Sequence, residues 1–234
     1  MANLAHELRS PVQAMLGYLD MLRDDLGEAA YERHRRLMER MNANALDLAQ
    51  TVENVMDFAV ADSMAQPEDD EEIRVHELIS ELQPALKAAN DSDRLEVKVD
   101  LDSAPPTFRL RRRAVKSILM NLAVNAIKFT PSGSVTIAIR SAVTSERAPA
   151  IEIVVSDTGP GIDAGMVERA FMPCTQLSDT SARRHRGVGL GLAVVKRNAL
   201  ALGARIVVKS PPGAGSMFIV TIPCVDRTAA RHRI

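Results

Sequence analysis

The sequence predicts a helical segment followed by an α+β sandwich. Three observations carry this reading. Residues 1–62 hold two apolar series of near-heptad spacing. The periodicity is lost over an acidic run at 63–72. Beyond it, helical patterns alternate with short Val- and Ile-rich runs of period two. The 234-residue length allows one large domain or two modest ones. Hydrophobic residues are 46% and charged residues 25%, which excludes a wholly disordered or collagen-like chain. Aromatics are 3% and Trp is absent, so the core is aliphatic. The net charge of −1 gives no global electrostatic case for nucleic acid. No apolar run approaches the roughly 20 residues that span a bilayer. The N-terminus lacks the basic and apolar regions of a signal peptide. Cys174 and Cys224 make neither a disulfide framework nor a four-ligand metal site, which fits a reducing, cytoplasmic setting.

The first series is Leu4, Leu8, Val12, Met15, Leu19, Leu22 and Leu26; the second is Leu37, Met41, Ala45, Leu48, Val52, Val55 and Ala59. Gly27 breaks the pattern between them and suggests a helical hairpin. Two helices with one narrow stripe each cannot enclose a core. Pairing two hairpins into a four-helix bundle can, so the spacing predicts a homodimer. The expected division is a helical domain at 1–65, a linker at 66–74, a second domain at 75–225 and a polar tail at 226–234.

In the second domain, residues 75–89 and 109–129 read as helices, the latter ended by Thr-Pro-Ser-Gly. Residues 94–101, 134–140, 150–156, 205–209 and 217–222 read as strands, and 189–202 as a helix stopped by Gly203. Hairpin-like connections argue for an α+β sandwich rather than a doubly wound sheet.

His6 points away from the apolar stripe of the first helix, with Glu7 adjacent and Ser10 one turn on. Pro11 removes a helical hydrogen bond and should bend the helix there. A neutral imidazole beside a carboxylate is a competent nucleophile. A solvated surface histidine gives the same pattern. Asn121, Asn125 and Lys128 form one polar line on the long helix. Asn is a poor helix former, and two stacked amides offer oxygens to a hard cation such as Mg²⁺, while Lys128 can reach a phosphate. A plain polar stripe is the alternative. Asp157-Thr-Gly-Pro-Gly-Ile162 follows an apolar strand. Its carboxylate can accept from an exocyclic amine, or the segment is only a Gly-Pro turn. Gly187-Val-Gly-Leu-Gly-Leu192 opens the last helix, where glycines let phosphate oxygens approach backbone N–H groups. It is neither a P-loop nor a Rossmann turn. Residues 172–186, with Arg183-Arg184-His185-Arg186, read as a mobile lid or an ordinary surface loop.

In this order the motifs resemble the sensor histidine kinases of two-component signalling. His6-Glu-Leu-Arg-Ser-Pro11 is similar to that family's phosphoacceptor motif. Asn121-Leu-Ala-Val-Asn-Ala-Ile-Lys-Phe-Thr130 is similar to its nucleotide helix. The segments at 157–162 and 187–192 are similar to its two glycine motifs, and Phe171 stands where the family keeps a Phe at the start of its lid. Gly213-Ala-Gly-Ser-Met-Phe218 and Pro223 match the closing strand.

The resemblance implies a dimerisation and phosphotransfer hairpin, forming a dimeric four-helix bundle, then an α/β sandwich of the type shared by Hsp90, gyrase and histidine kinases. It implies ATP and Mg²⁺ as cofactors, with His6 as phosphoacceptor and Glu7 as orienting base. Asp157 would bind the adenine amine; Asn125 and Asn121 would hold Mg²⁺; Lys128 would contact phosphate. Gly159, Gly161, Ile162, Phe171, Arg186, Gly187, Gly189, Leu190, Gly191 and Ser216 would complete the ATP site. The phosphoryl group would pass to an Asp of a response-regulator receiver domain. Two departures stand out. Ser10 replaces the Thr usual in the family; it can orient a water but lacks the Thr methyl, so a phosphatase role stays open. The chain begins five residues before His6, whereas such helices continue upstream, so it is expected to be the cytoplasmic part of a larger sensor. The alternatives are a non-catalytic nucleotide-sensing dimer and a mainly phosphatase role.

Overall fold

The structure is a computed structural model. It describes residues 70–90, 95–173, 175 and 189–224, with 17–19, 21, 22, 34, 37, 41, 45, 48 and 52 nearer the N-terminus. The described N-terminal residues are helical. The rest forms β1 (Glu71–Arg74), α1 (Val75–Ala89), β2 (Leu95–Asp100), β3 (Thr107–Leu110), α2 (Arg112–Phe129), β4 (Gly133–Val143), β5 (Pro149–Asp157), α3 (Ala164–Ala170), α4 (Gly191–Leu202), β6 (Arg205–Lys209) and β7 (Ser216–Pro223).

Period-two alternation aims one side of each long strand at the helices. Val135, Ile137 and Ile139 of β4 do this, as do Ile151, Ile153 and Val155 of β5 and Phe218, Val220 and Ile222 of β7. They meet Leu78 and Leu82 of α1, Ile118, Leu119 and Leu122 of α2, and Val195, Ala199 and Leu202 of α4 in one core. Each fully buried aliphatic side chain stabilises the fold by roughly 1.5–3 kcal/mol. The five-stranded sheet has the order β2-β4-β5-β7-β6. β2 and β4 are parallel and all the other neighbours antiparallel. The sandwich and most element bounds agree with the sequence reading, and the helix expected at 75–89 is α1. Gly203 ends α4 in the left-handed region at φ 65°.

Four details differ. Residues 71–74, expected as the end of a linker, form β1, which pairs antiparallel with β3. A single apolar residue among charges, Ile73, gives no period to read, yet it is 0% exposed. The helix expected from residue 109 begins at Arg112, because Phe108 and Leu110 alternate inward as β3 instead. The helix α3 was not expected; it is seven residues long and buries only Ala170. Finally, β2 reaches β4 by a crossover through β3 and α2, not a hairpin. Glu81 on α1 accepts hydrogen bonds from Lys116 at 2.9 Å and Arg112 at 2.5 Å on α2, which hold its carboxyl below the usual range.

Candidate functional site

β5 carries Asp157 to the end of the sheet, beside the C-terminus of α2. The Asp157 Oδ1 accepts the backbone N–H of Gly159 at 2.8 Å and of Ser216 at 3.3 Å. The first bond is a local turn. The second follows from register, since Asp157 and Ser216 are opposite one another on β5 and β7. Burial pushes the Asp157 carboxyl above its ordinary range, and hydrogen bonds from the Gly159 and Ser216 backbone pull it part of the way back. Thr130 lies just past α2, is buried, and donates its hydroxyl to the Ala126 carbonyl at 2.7 Å.

Two glycines let neighbouring loops close on this carboxylate. Gly161 has φ +73°, and a Cβ there would overlap the Pro211 carbonyl oxygen. Gly215 has φ +82°, and a Cβ there would overlap the carbonyl of Asp157 itself. Between them, Ser210 Oγ accepts the N–H of Ile162 at 2.6 Å and donates to Ser216 Oγ at 2.8 Å. Gly213 N–H donates to the Pro160 carbonyl at 2.7 Å.

The second half of the site is where α2 meets α4. Asn121 is 3% exposed. Its Nδ2 donates to the Ser117 carbonyl at 2.9 Å. A Cβ on Gly191 would lie 3.0 Å from Asn121 Oδ1 and 3.2 Å from Asn125 Nδ2, so both amides face the first residue of α4. No side chain caps this helix, whose N-cap is Leu190. Its first-turn N–H groups therefore point outward without helical acceptors. Gly189 just before it has φ +71°. Lys128 is half-buried in the last turn of α2. Phe171 closes α3 and packs edge-on against Phe218 of β7, with ring centroids 6.4 Å apart. Among the described residues no group of three or more His, Cys, Asp or Glu is gathered. A cation here would thus rest on amide oxygens and on oxygens of a ligand.

The structure brings together Asp157, Gly159, Gly161, Ile162 and Ser216 in one half of the site. It brings Asn121, Asn125, Leu190 and Gly191 together in the other. His6, Glu7, Ser10, Arg186 and Gly187 lie outside the described residues.

Residues 110–226 match the family described as "Histidine kinase-, DNA gyrase B-, and HSP90-like ATPase", which is half of the chain, and residues 1–63 match the "His Kinase A (phospho-acceptor) domain". This chain belongs to the sensor histidine kinases. Among curated histidine kinases it is 28% identical to the sensor histidine kinase AtsR of Burkholderia thailandensis over 94% of this chain and 36% of that one. It is 31% identical to the sensor histidine kinase AruS of Pseudomonas aeruginosa over 93% of this chain and 22% of that one. It is 30% identical to the histidine protein kinase DivJ of Caulobacter vibrioides over 95% of this chain and 36% of that one. The chain therefore spans less than half the length of these relatives. Among solved structures, full-length ShkA in complex with AMPPNP matches with TM-score 0.66 and 26% identity, over 95% of this chain and 45% of that one. The Acinetobacter baumannii histidine kinase AdeS matches in fold with TM-score 0.60 and 23% identity, over 94% of this chain and 98% of that one. The ATPase match implies that this histidine kinase binds ATP through the region of residues 110–226.

Sequence reasoning missed Thr130 and Ser210 as parts of the site. Thr130 was legible only as the end of the nucleotide helix. Nothing in the sequence marks Ser210, because its partners come from the loop after β5 and the start of β7.

Proposed function

We propose that this chain is the catalytic part of an ATP-dependent protein-histidine kinase that phosphorylates its own His6. The carrying observation is the meeting of Asn121 and Asn125 with Gly191 at the uncapped start of α4, with the half-buried Asp157 near the C-terminal end of the same helix α2. That arrangement has an acceptor for a base at one end and backbone donors for phosphates at the other. Asp157 accepts from the adenine amine, and Ser216 and Thr130 steady its carboxylate. The first turn of α4 and Lys128 hold the triphosphate. Gly159, Gly161, Ile162, Phe171, Arg186, Gly187, Gly189 and Leu190 complete the site as the family resemblance implies. Asn125 and Asn121 supply the kind of oxygen that Mg²⁺ takes, and the ion, when bound, offsets triphosphate charge.

In the reaction a neutral His6 ring nitrogen attacks the γ-phosphorus, ADP leaves, and Glu7 orients the ring and takes up its other proton. Catalysis then rests mostly on positioning and charge neutralisation. The phosphoryl group passes to an aspartate of a receiver-domain partner. Residues 1–65 form the dimerising and phosphotransfer domain, 71–225 the catalytic domain now that β1 joins it, and 226–234 a tail. The chain acts as a homodimer in the cytoplasm. Support for the dimer comes from seam residues Leu22, Leu37, Met41 and Leu48, which stay 44–59% exposed in the isolated chain. The test is nucleotide affinity and transfer to a receiver domain in Asn125→Ala and Asp157→Ala. Both should lose nucleotide binding and all transfer; normal affinity in either would sink the site assignment.

A further inference from the structure

The hydroxyl of Ser210 ties together the loop after β5, the loop after β6 and the start of β7, and its hydrogen bonds have a forced direction. A serine hydroxyl has one proton and two lone pairs. The Ile162 N–H can only donate, so Ser210 Oγ is its acceptor, at 2.6 Å. The single Ser210 proton then goes to Ser216 Oγ at 2.8 Å rather than to the Gly215 carbonyl at 3.4 Å. Ser216 Oγ, already an acceptor, is left to turn its own proton toward Asp157. The same residue's backbone N–H also reaches Asp157, at 3.3 Å. The polarity of the chain is therefore set at Ile162 and ends on the carboxylate, which is kept as a pure acceptor.

We propose that Ser210 is a positioning residue for base selection: by fixing the direction of the Ser216 hydroxyl, it holds Asp157 ready to accept from the exocyclic amine of a 6-aminopurine nucleotide. This rests on the nucleotide-site reading above. Ser210 need not touch the nucleotide. Its loss leaves the Ile162 N–H without its acceptor and frees the Ser216 hydroxyl to turn away from Asp157. A purine nucleotide with hydrogen at position 6 makes no bond to Asp157, so its affinity does not depend on that orientation.

The test compares ATP with purine riboside triphosphate on the full chain, as dissociation constants for wild type, Ser210→Ala and Ser210→Thr. Wild type should prefer ATP. Ser210→Ala should narrow that preference by about tenfold through weaker ATP binding, with the deamino analogue unchanged, since one hydrogen bond to a charged group is lost. Ser210→Thr keeps the hydroxyl and should keep the preference. A second readout uses Ser216→Ala. If Ser210 acts through Ser216, the double variant should narrow the preference no further than Ser216→Ala alone. A wild type that does not distinguish the two nucleotides would overturn the Asp157 assignment and this proposal with it. A discriminating wild type with an equal loss of both nucleotides in Ser210→Ala, or with additive losses in the cycle, would overturn the proposal alone.

Discussion

Asp157 carries the most informative conflict at the level of single residues. Its carboxyl is raised above the ordinary range by burial, although the backbone N–H groups of Gly159 and Ser216 donate to it. The folded chain thus keeps this proton to higher pH than the unfolded chain does. The group favours the fold below the ordinary carboxylate range, and that contribution is lost as pH rises through the raised value. At neutral pH ionising this partly buried carboxyl costs stability. Asp157→Asn preserves an acceptor for both backbone N–H groups and removes the charge. Its melting temperature without nucleotide should be equal to or above wild type at neutral pH, while ATP affinity should fall by about 100-fold, roughly the worth of a charge-assisted hydrogen bond. Calorimetric melting and a binding titration check the two halves separately. Gly191 makes a second case. Gly191→Ala gains helix propensity of at most about 1 kcal/mol. Its methyl would press on Asn121 and Asn125, 3.0 and 3.2 Å away. The expected outcome is an intact fold with nucleotide affinity weakened by about tenfold, read by circular dichroism beside the titration.

At the scale of elements, legibility followed the length of the repeating pattern. α1, α2 and the long strands repeat their period several times, and the sequence reading found them. β3 alternates over four residues and β1 offers only Ile73, so neither could be told from loop or helix. The half of the site built from local sequence was equally legible. Asn121 and Asn125 stand one turn apart on α2, and Asp157 ends an apolar strand. The other half depends on chain segments far apart. Ser210 meets Ile162 across 48 residues, and Ser216 meets Asp157 across 59, through strand pairing that no local pattern reveals. The strand β1 yields a direct check. Ile73 is fully buried, so Ile73→Ala should destabilise the second domain by roughly 2–5 kcal/mol. A linker residue would show almost no change in a denaturant titration. Such a null result would detach β1 from the sandwich.

At the scale of the whole molecule, two parts with different physics must cooperate. The sandwich encloses its own aliphatic core, whereas the N-terminal seam keeps apolar residues at the surface of a single chain. Sedimentation should therefore find a dimer at micromolar concentration, and replacing Leu37 and Leu48 with Glu should shift it toward monomer. The same substitutions should leave ATP affinity unchanged, because every residue of the proposed nucleotide site belongs to the other part. The proposed transfer to His6 requires both parts, because His6 lies N-terminal to the sandwich that carries the proposed nucleotide site.

Transfer of the γ-phosphoryl group of ATP to His6, as proposed, can be tested on the chain itself. The direct measurement is incubation with γ-labelled ATP and Mg²⁺, beside His6→Ala, followed by treatment of the product with acid and with base. The expected label is lost in acid, kept in base and absent from His6→Ala, while that variant still binds ATP. Base-stable, acid-labile label of equal yield in His6→Ala would contradict it, as would ATP binding without any label in the wild-type chain.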